Sequence, residues 1–152
     1  MLRTLTVLKE EYKDCKKCNL CESRINVVFG YGNPNAQIMI VGEAPGEQDD
    51  LSGNPFTGPS GQWLDLYLAA TSTRIELIEE YKLSITNRRA YNPTKVRNLL
   101  LEEFFFTNTV CCRPPENRDP TPIERLACKD RLLETIYLVD PVIIIAAGKI
   151  AM

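Results

Sequence analysis

The side chains able to do chemistry here fall into two sets, and the first is sulfur. Cys15, Cys18 and Cys21 lie near the start, Cys111, Cys112 and Cys128 much later, and the 152 residues contain no histidine. Without imidazole there is no Ser-His or Cys-His nucleophile pair and no histidine metal site, so catalysis must use carboxylates, amides, thiolates or backbone. The Cys-x-x-Cys spacing, in a chain whose N-terminus lacks a signal peptide's apolar segment, points to metal rather than to disulfides. Four thiolates suit either zinc or an iron-sulfur cluster. The three-cysteine run is spaced as in a bacterial ferredoxin but lacks that motif's fourth ligand and following proline. A split site with two ligands from each group is more economical. Spacing leaves open whether Cys15 and Cys18 or Cys18 and Cys21 supply the first pair, and two thiols stay spare either way.

The second set is carboxylates, an aromatic ring and an amide. The stretch from Gly42 to Gly61, GEAPGEQDDLSGNPFTGPSG, holds five of the eight glycines and three of the ten prolines, which excludes the interior of a strand or helix. It predicts a long shaped loop presenting Glu43, Glu47, Asp49, Asp50 and Phe56. Long ordered loops in compact domains are often functional, although an acidic surface turn would have similar composition.

Regular elements must hold these groups in place. Three nearly continuous apolar runs, 38–41, 104–110 and 142–147, read as strands buried on both faces of a parallel sheet. Between them, Ser60 can cap a helix with Trp63 and Tyr67, and Leu64 and Leu68, at i, i+4 spacing. Thr121-Pro122-Ile123-Glu124 is a capping box with proline at the first helical position, opening a helix to about Val139. The alternation predicts an α/β three-layer sandwich with a central parallel sheet. Ligands in such folds gather beyond the carboxyl ends of the strands, so the acidic loop and Asn108 should face a common cleft. The alternative for Asn108 is a buried amide that satisfies nearby backbone.

Composition bounds the rest. Hydrophobic residues at 44% and charged residues at 25% describe one globular domain over 1–152. No run approaches the roughly 18 apolar residues of a membrane span, and a cytoplasmic monomer is the expectation. A net charge of -2 gives no global attraction to nucleic acid. Locally, Tyr81 to Leu101 carries Lys82, Arg88, Arg89, Lys95 and Arg97 without an acid, which suits a phosphate-contacting strip or a solvated face. The surrounding segment 71–103 is polar, helix-compatible from Arg74 to Tyr81 and broken at Asn92-Pro93.

With these elements in place, the sequence resembles the iron-sulfur (family four) uracil-DNA glycosylases. The resemblance runs through Cys15 to Arg24, Val28-Phe29-Gly30, Ile40 to Gly46, Gly53 to Gly61 and Thr107 to Pro122, then from Cys128 to Gly148. It implies an enzyme that hydrolyses the N-glycosidic bond of deoxyuridine in DNA and leaves an abasic site. It also implies a structural 4Fe-4S cluster on Cys15, Cys18, Cys112 and Cys128, with zinc as the alternative, leaving Cys21 and Cys111 spare. In the family's pattern Glu43 stands at the scissile bond and a second carboxylate falls on Asp49, with Gly42 and Phe56 against the uracil and Asn108 reading its edge. The chemistry agrees, because a base must be flipped out of a duplex, stacked and read through its polar edge.

Three departures stand out. Asp49 occupies a position where the family commonly has glutamate. The family continues past Gly-Lys-Ile-Ala into a further strand and a His-Pro-Ser loop, whereas this chain stops at Met152, so a truncated and catalytically weakened or inactive DNA-binding relative is the competing expectation. Segment 71–103 exceeds the family's usual connection and reads as an insertion.

Overall fold

The computed structural model describes residues 3–151. Its strands are β1 (Tyr31–Gly32), β2 (Ile38–Gly42), β3 (Phe104–Asn108) and β4 (Ile143–Ala146). Its helices are α1 (Leu5–Tyr12), α2 (Glu47–Ser52), α3 (Pro59–Thr71), α4 (Ile75–Thr86), α5 (Pro93–Leu101) and α6 (Pro122–Val139). The sheet order is β1-β3-β2-β4, with β2 parallel to both β3 and β4 and β1 antiparallel to β3. The sheet is thus mixed at one edge, where the two-residue β1 offers no apolar run for sequence to reveal.

Strand residues alternate between two apolar layers, as the pleat requires. Ile40, Phe104 and Phe106 pack with Ala69, Leu77, Val96 and Leu100 of α3, α4 and α5, while Met39, Val41 and Phe105 pack with Val139 of α6 on the other face. Helices on both faces make the three-layer sandwich. Leu77, Val96 and Leu100 are fully buried, so segment 71–103 contributes to the core. Within it Asn92 caps α5, its Oδ1 accepting from Lys95 N at 3.0 Å. The apolar face of α1 sets Leu8 and Tyr12 against Phe29 and Leu138.

Four sequence expectations change. Residues 47–52 form helix α2 inside the expected loop, because they contain neither glycine nor proline, carry acids in the first turn, and end at Gly53 with φ 75°. Helix α3 starts at Pro59 with Gly58 as its cap, two residues earlier than a Ser60 cap would place it, because proline is pre-set for the first helical position. Its Leu64 and Leu68 face the core, but Trp63 and Tyr67 are 61% and 68% exposed. Strand β4 is exposed along its whole length rather than buried on both faces, as the outermost strand paired on one side with β2. The capping box of α6 forms as read: Thr121 Oγ1 accepts from Glu124 N at 3.3 Å and Glu124 Oε2 accepts from Thr121 N at 2.8 Å. No described helix is long and apolar enough to cross a membrane.

Candidate active site

A cleft of about 680 Å³ opens at the carboxyl edge of the sheet, and Gly42, Glu43, Asp49, Phe56 and Asn108 all line it. The parallel register sets Gly42 directly beside Asn108. A Cβ built on Gly42 would lie 2.3 Å from Asn108 Oδ1 and 2.7 Å from Phe56 Cζ. Amide and ring therefore converge on one Cα, which only glycine can supply. Asn108 is 2% exposed, and its Nδ2 has no hydrogen-bond partner among the described residues. A buried donor left unpaired costs about 1–3 kcal/mol, so the fold leaves this amide nitrogen unspent.

Two arginines, Arg131 buried and Arg97 half-buried, hold these groups. Behind Asn108, Arg131 of α6 donates through Nη2 to the carbonyls of Asn108 and Thr109 at 2.6 and 2.9 Å, and through Nη1 to Thr107 Oγ1 at 3.0 Å. Thr109 N and Oγ1 in turn donate to Gly42 O at 2.8 and 3.1 Å, so both strand ends are tied together. Beneath Phe56, Arg97 of α5 donates through Nη2 to the Phe56 carbonyl at 2.7 Å and through Nε to Asp65 Oδ2 at 3.0 Å. Burial pushes the Asp65 carboxyl up to about 7 against the pull of Arg97. Phe56 is held at φ 60°, a conformation unfavourable for a bulky side chain, and its ring meets Phe106 edge-on at 5.8 Å. Gly61 makes this turn possible, since a Cβ there would lie 1.8 Å from the Phe56 carbonyl oxygen.

The two carboxylates differ. Asp49 Oδ1 accepts from Thr57 N and Oγ1 at 2.7 and 2.8 Å, and Oδ2 accepts from Gly46 N at 3.2 Å, so this group braces the loop. Glu43 is bound more sparingly: its Oε1 accepts from Ile150 N at 2.8 Å beside Gly148.

The cysteines converge elsewhere. Cys15, Cys18, Cys111, Cys112 and Cys128 line one narrow cavity with Lys17 and Arg24, while Cys21 lines a different pocket. Among the described residues no group of three or more such donors is gathered closely enough to hold a single metal ion. The donor set fits a thiolate-bound group in kind, being all sulfur with no carboxylate in the lining. Arg24 Nη1 lies 3.5 Å from Cys112 Sγ, a cation suited to offset thiolate charge. Burial pushes the Cys112 thiol up to about 12, so a thiolate there needs such compensation or a metal.

The chain matches the model of the uracil DNA glycosylase superfamily over residues 29–152. It belongs to that superfamily. It is 40% identical to the type-4 uracil-DNA glycosylase of Saccharolobus solfataricus over 145 residues, which is 95% of this chain and 56% of that protein. With the type-4 uracil-DNA glycosylase of Archaeoglobus fulgidus the identity is 35% over 150 residues, 99% of this chain and 62% of the relative. With that of Thermotoga maritima it is 36% over 148 residues, 97% and 64% respectively. The chain thus spans a little over half the length of these superfamily members.

Sequence reasoning gave Arg131 and Asn117 no role, although Asn117 also lines the cleft, and read Arg97 only as one cation of a phosphate-contacting or solvated strip. Arg97 sits in a basic stretch whose members look alike by composition. Arg131 left a faint trace: Glu124, Cys128, Arg131, Thr135 and Val139, the buried face of α6, recur at helical spacing, which places the arginine on an inward stripe. Asn117 falls inside the Thr107 to Pro122 stretch that carries the resemblance, but its residue type and spacing suggest no role.

Proposed function

We propose that this protein hydrolyses the N-glycosidic bond of deoxyuridine in DNA. The observation that carries the reading is the convergence of the Phe56 ring and the Asn108 amide on Gly42, with the buried Asn108 Nδ2 unpaired. A flipped uracil stacks on Phe56 while Asn108 donates from Nδ2 to O4 and accepts from N3-H at Oδ1. Cytosine presents an amino donor and a bare ring nitrogen at these points, so the same amide would meet donor with donor. Gly42 lets the base lie against backbone.

As the bond between C1′ and uracil N1 breaks, its electron pair leaves with the base and the sugar becomes cationic. Water oxygen then bonds to C1′. Glu43, steadied through Oε1 by Ile150 N-H, stabilises the cationic sugar or orients that water, and the remaining water proton is released to solvent. Fixed donors at the uracil edge stabilise the departing anion. Asp49 acts by holding Gly46 and Thr57, and with them the loop that carries Phe56.

Cys15, Cys18, Cys112 and Cys128 would hold a 4Fe-4S cluster, or zinc in its place, as a structural cross-link. Such a group would join the N-terminal arm to the turn after β3 and to α6. Cys15, Cys18, Cys112 and Cys128 lining one cavity supports this choice over one that uses Cys21.

The test is uracil release from a single-stranded oligonucleotide with one deoxyuridine. Glu43→Gln and Asn108→Ala should each lower the single-turnover rate by about 100-fold or more, the scale of losing one preorganised charge or donor. Release by both variants at the parent rate would overturn the assignment.

A further inference from the structure

A second concavity lies beside the cleft, between α3 and α4. It has a volume of about 440 Å³ and is lined by Trp63, Tyr67, Tyr81, Tyr91, Ile85 and Arg88 among others, with no carboxylate. Trp63, Tyr67 and Ile85 are 61%, 68% and 68% exposed. Pro59 lines both this groove and the uracil cleft, so the two adjoin at the first turn of α3.

The charge around the groove is selective. Of the five cations in the acid-free stretch, Lys95 is paired with Glu80 at 2.7 Å and Arg97 with Asp65 at 2.8 Å. Lys82, Arg88 and Arg89 remain fully on the surface, and Arg88 stands in the groove lining. Glu80 of α4 is buried and paired with Lys95, while Glu76 and Glu79 of the same helix are exposed but do not line the groove.

We propose that this groove binds the single-stranded DNA flanking the target nucleotide, with bases stacked on Trp63 and its neighbouring tyrosines and phosphates met by Arg88, Arg89 and Lys82. The proposal rests on the uracil-excision reading for its substrate. Clustered aromatics beside free cations are the combination that single strands use, because every base has a face to stack and every nucleotide a phosphate. An apolar protein segment would gain nothing from the three surface cations, and a rigid duplex could not splay bases into a groove between two helices. A strand whose uracil enters the cleft must leave over its rim, and at Pro59 that rim borders the groove.

The test uses the whole chain and a uracil-free oligothymidylate, so that binding is measured apart from excision. Trp63 is the sole tryptophan, and its fluorescence should quench on titration. Trp63→Leu, at an exposed position, should weaken binding by roughly 5- to 150-fold, read by anisotropy of a labelled strand. Arg88→Ala should make the slope of log affinity on log salt shallower by about 0.7. Binding without quenching, or unchanged affinity in both variants, overturns the proposal. Tryptophan emission that follows protein concentration and ignores the oligonucleotide assigns the groove to a second copy, which also overturns it. Groove-dependent binding without uracil release would sink the catalytic reading alone, while release with groove-independent binding would sink this one alone.

Discussion

Gly42→Ala isolates the claim that ring and amide share one point. The added methyl would start 2.3 Å from Asn108 Oδ1 and 2.7 Å from Phe56 Cζ. Ordinary contact needs about 3.5 Å, so the amide must retreat by roughly 1 Å. Neither neighbour yields easily: Arg131 clamps the Asn108 backbone and Arg97 the Phe56 carbonyl. Overpacking of this sort costs about 1–3 kcal/mol, offset by about 0.4–1 kcal/mol because alanine restricts the unfolded chain. A net loss near 1–2 kcal/mol lowers Tm by roughly 2–8 °C for a chain of this size. Displacing a positioning group by about 1 Å costs about 100-fold in rate, well beyond what that stability loss removes in a protein still folded at assay temperature. The assay pairs thermal unfolding with single-turnover uracil release. Gly46→Ala is the stability control, since a Cβ there meets nothing within 4 Å, and its Tm should change by no more than a helix cap is worth. A Gly42→Ala protein that releases uracil within threefold of the parent rate would show that ring and amide do not meet at Gly42 in the working site.

Other substitutions probe the supports. Arg131→Met orphans the carbonyls of Asn108 and Thr109 and should cost about 3 kcal/mol in urea unfolding, since bonds from a charged donor are worth about 1.5–3 kcal/mol each and only part is recovered by packing. Glu124 is held down at about 2 by Arg118 and by the Thr121 N-H. A lowered folded value stabilises above the ordinary carboxylate range and loses that stability as pH falls through about 4.5 toward 2. Discounted for the half-exposed Arg118, the loss should reach about 2 kcal/mol in acid titration of stability, and Glu124→Gln should flatten that part of the curve. Iron and acid-labile sulfide should accompany the purified protein and fall sharply in Cys18→Ser or Cys112→Ser. Cys21→Ser should retain both, because its side chain lines another pocket.

Much of the arrangement was legible along the chain because it rests on local rules. Apolar runs marked β2, β3 and β4 to within two residues, and the Thr121 capping box marked the start of α6. The grouping of Glu43, Phe56 and Asn108 in one cleft followed from the rule that loops meet beyond the carboxyl ends of parallel strands. Helix α2 was hidden by its flanking glycines, which dominate composition while leaving the six residues between them free to coil.

What the residues determined unaided was the set of elements, the chemistry on offer and the side of the sheet where it must collect, since these depend on periodicity, caps and residue type. Three-dimensional packing alone fixed which polar groups the fold satisfies and which it leaves without a partner. Asp49 and Asn108 look equally available in sequence, yet backbone donors from Gly46 and Thr57 consume the first while the second keeps a buried Nδ2 without a partner. Hydrogen-bond satisfaction depends on neighbours far away in the chain, and no local pattern encodes it.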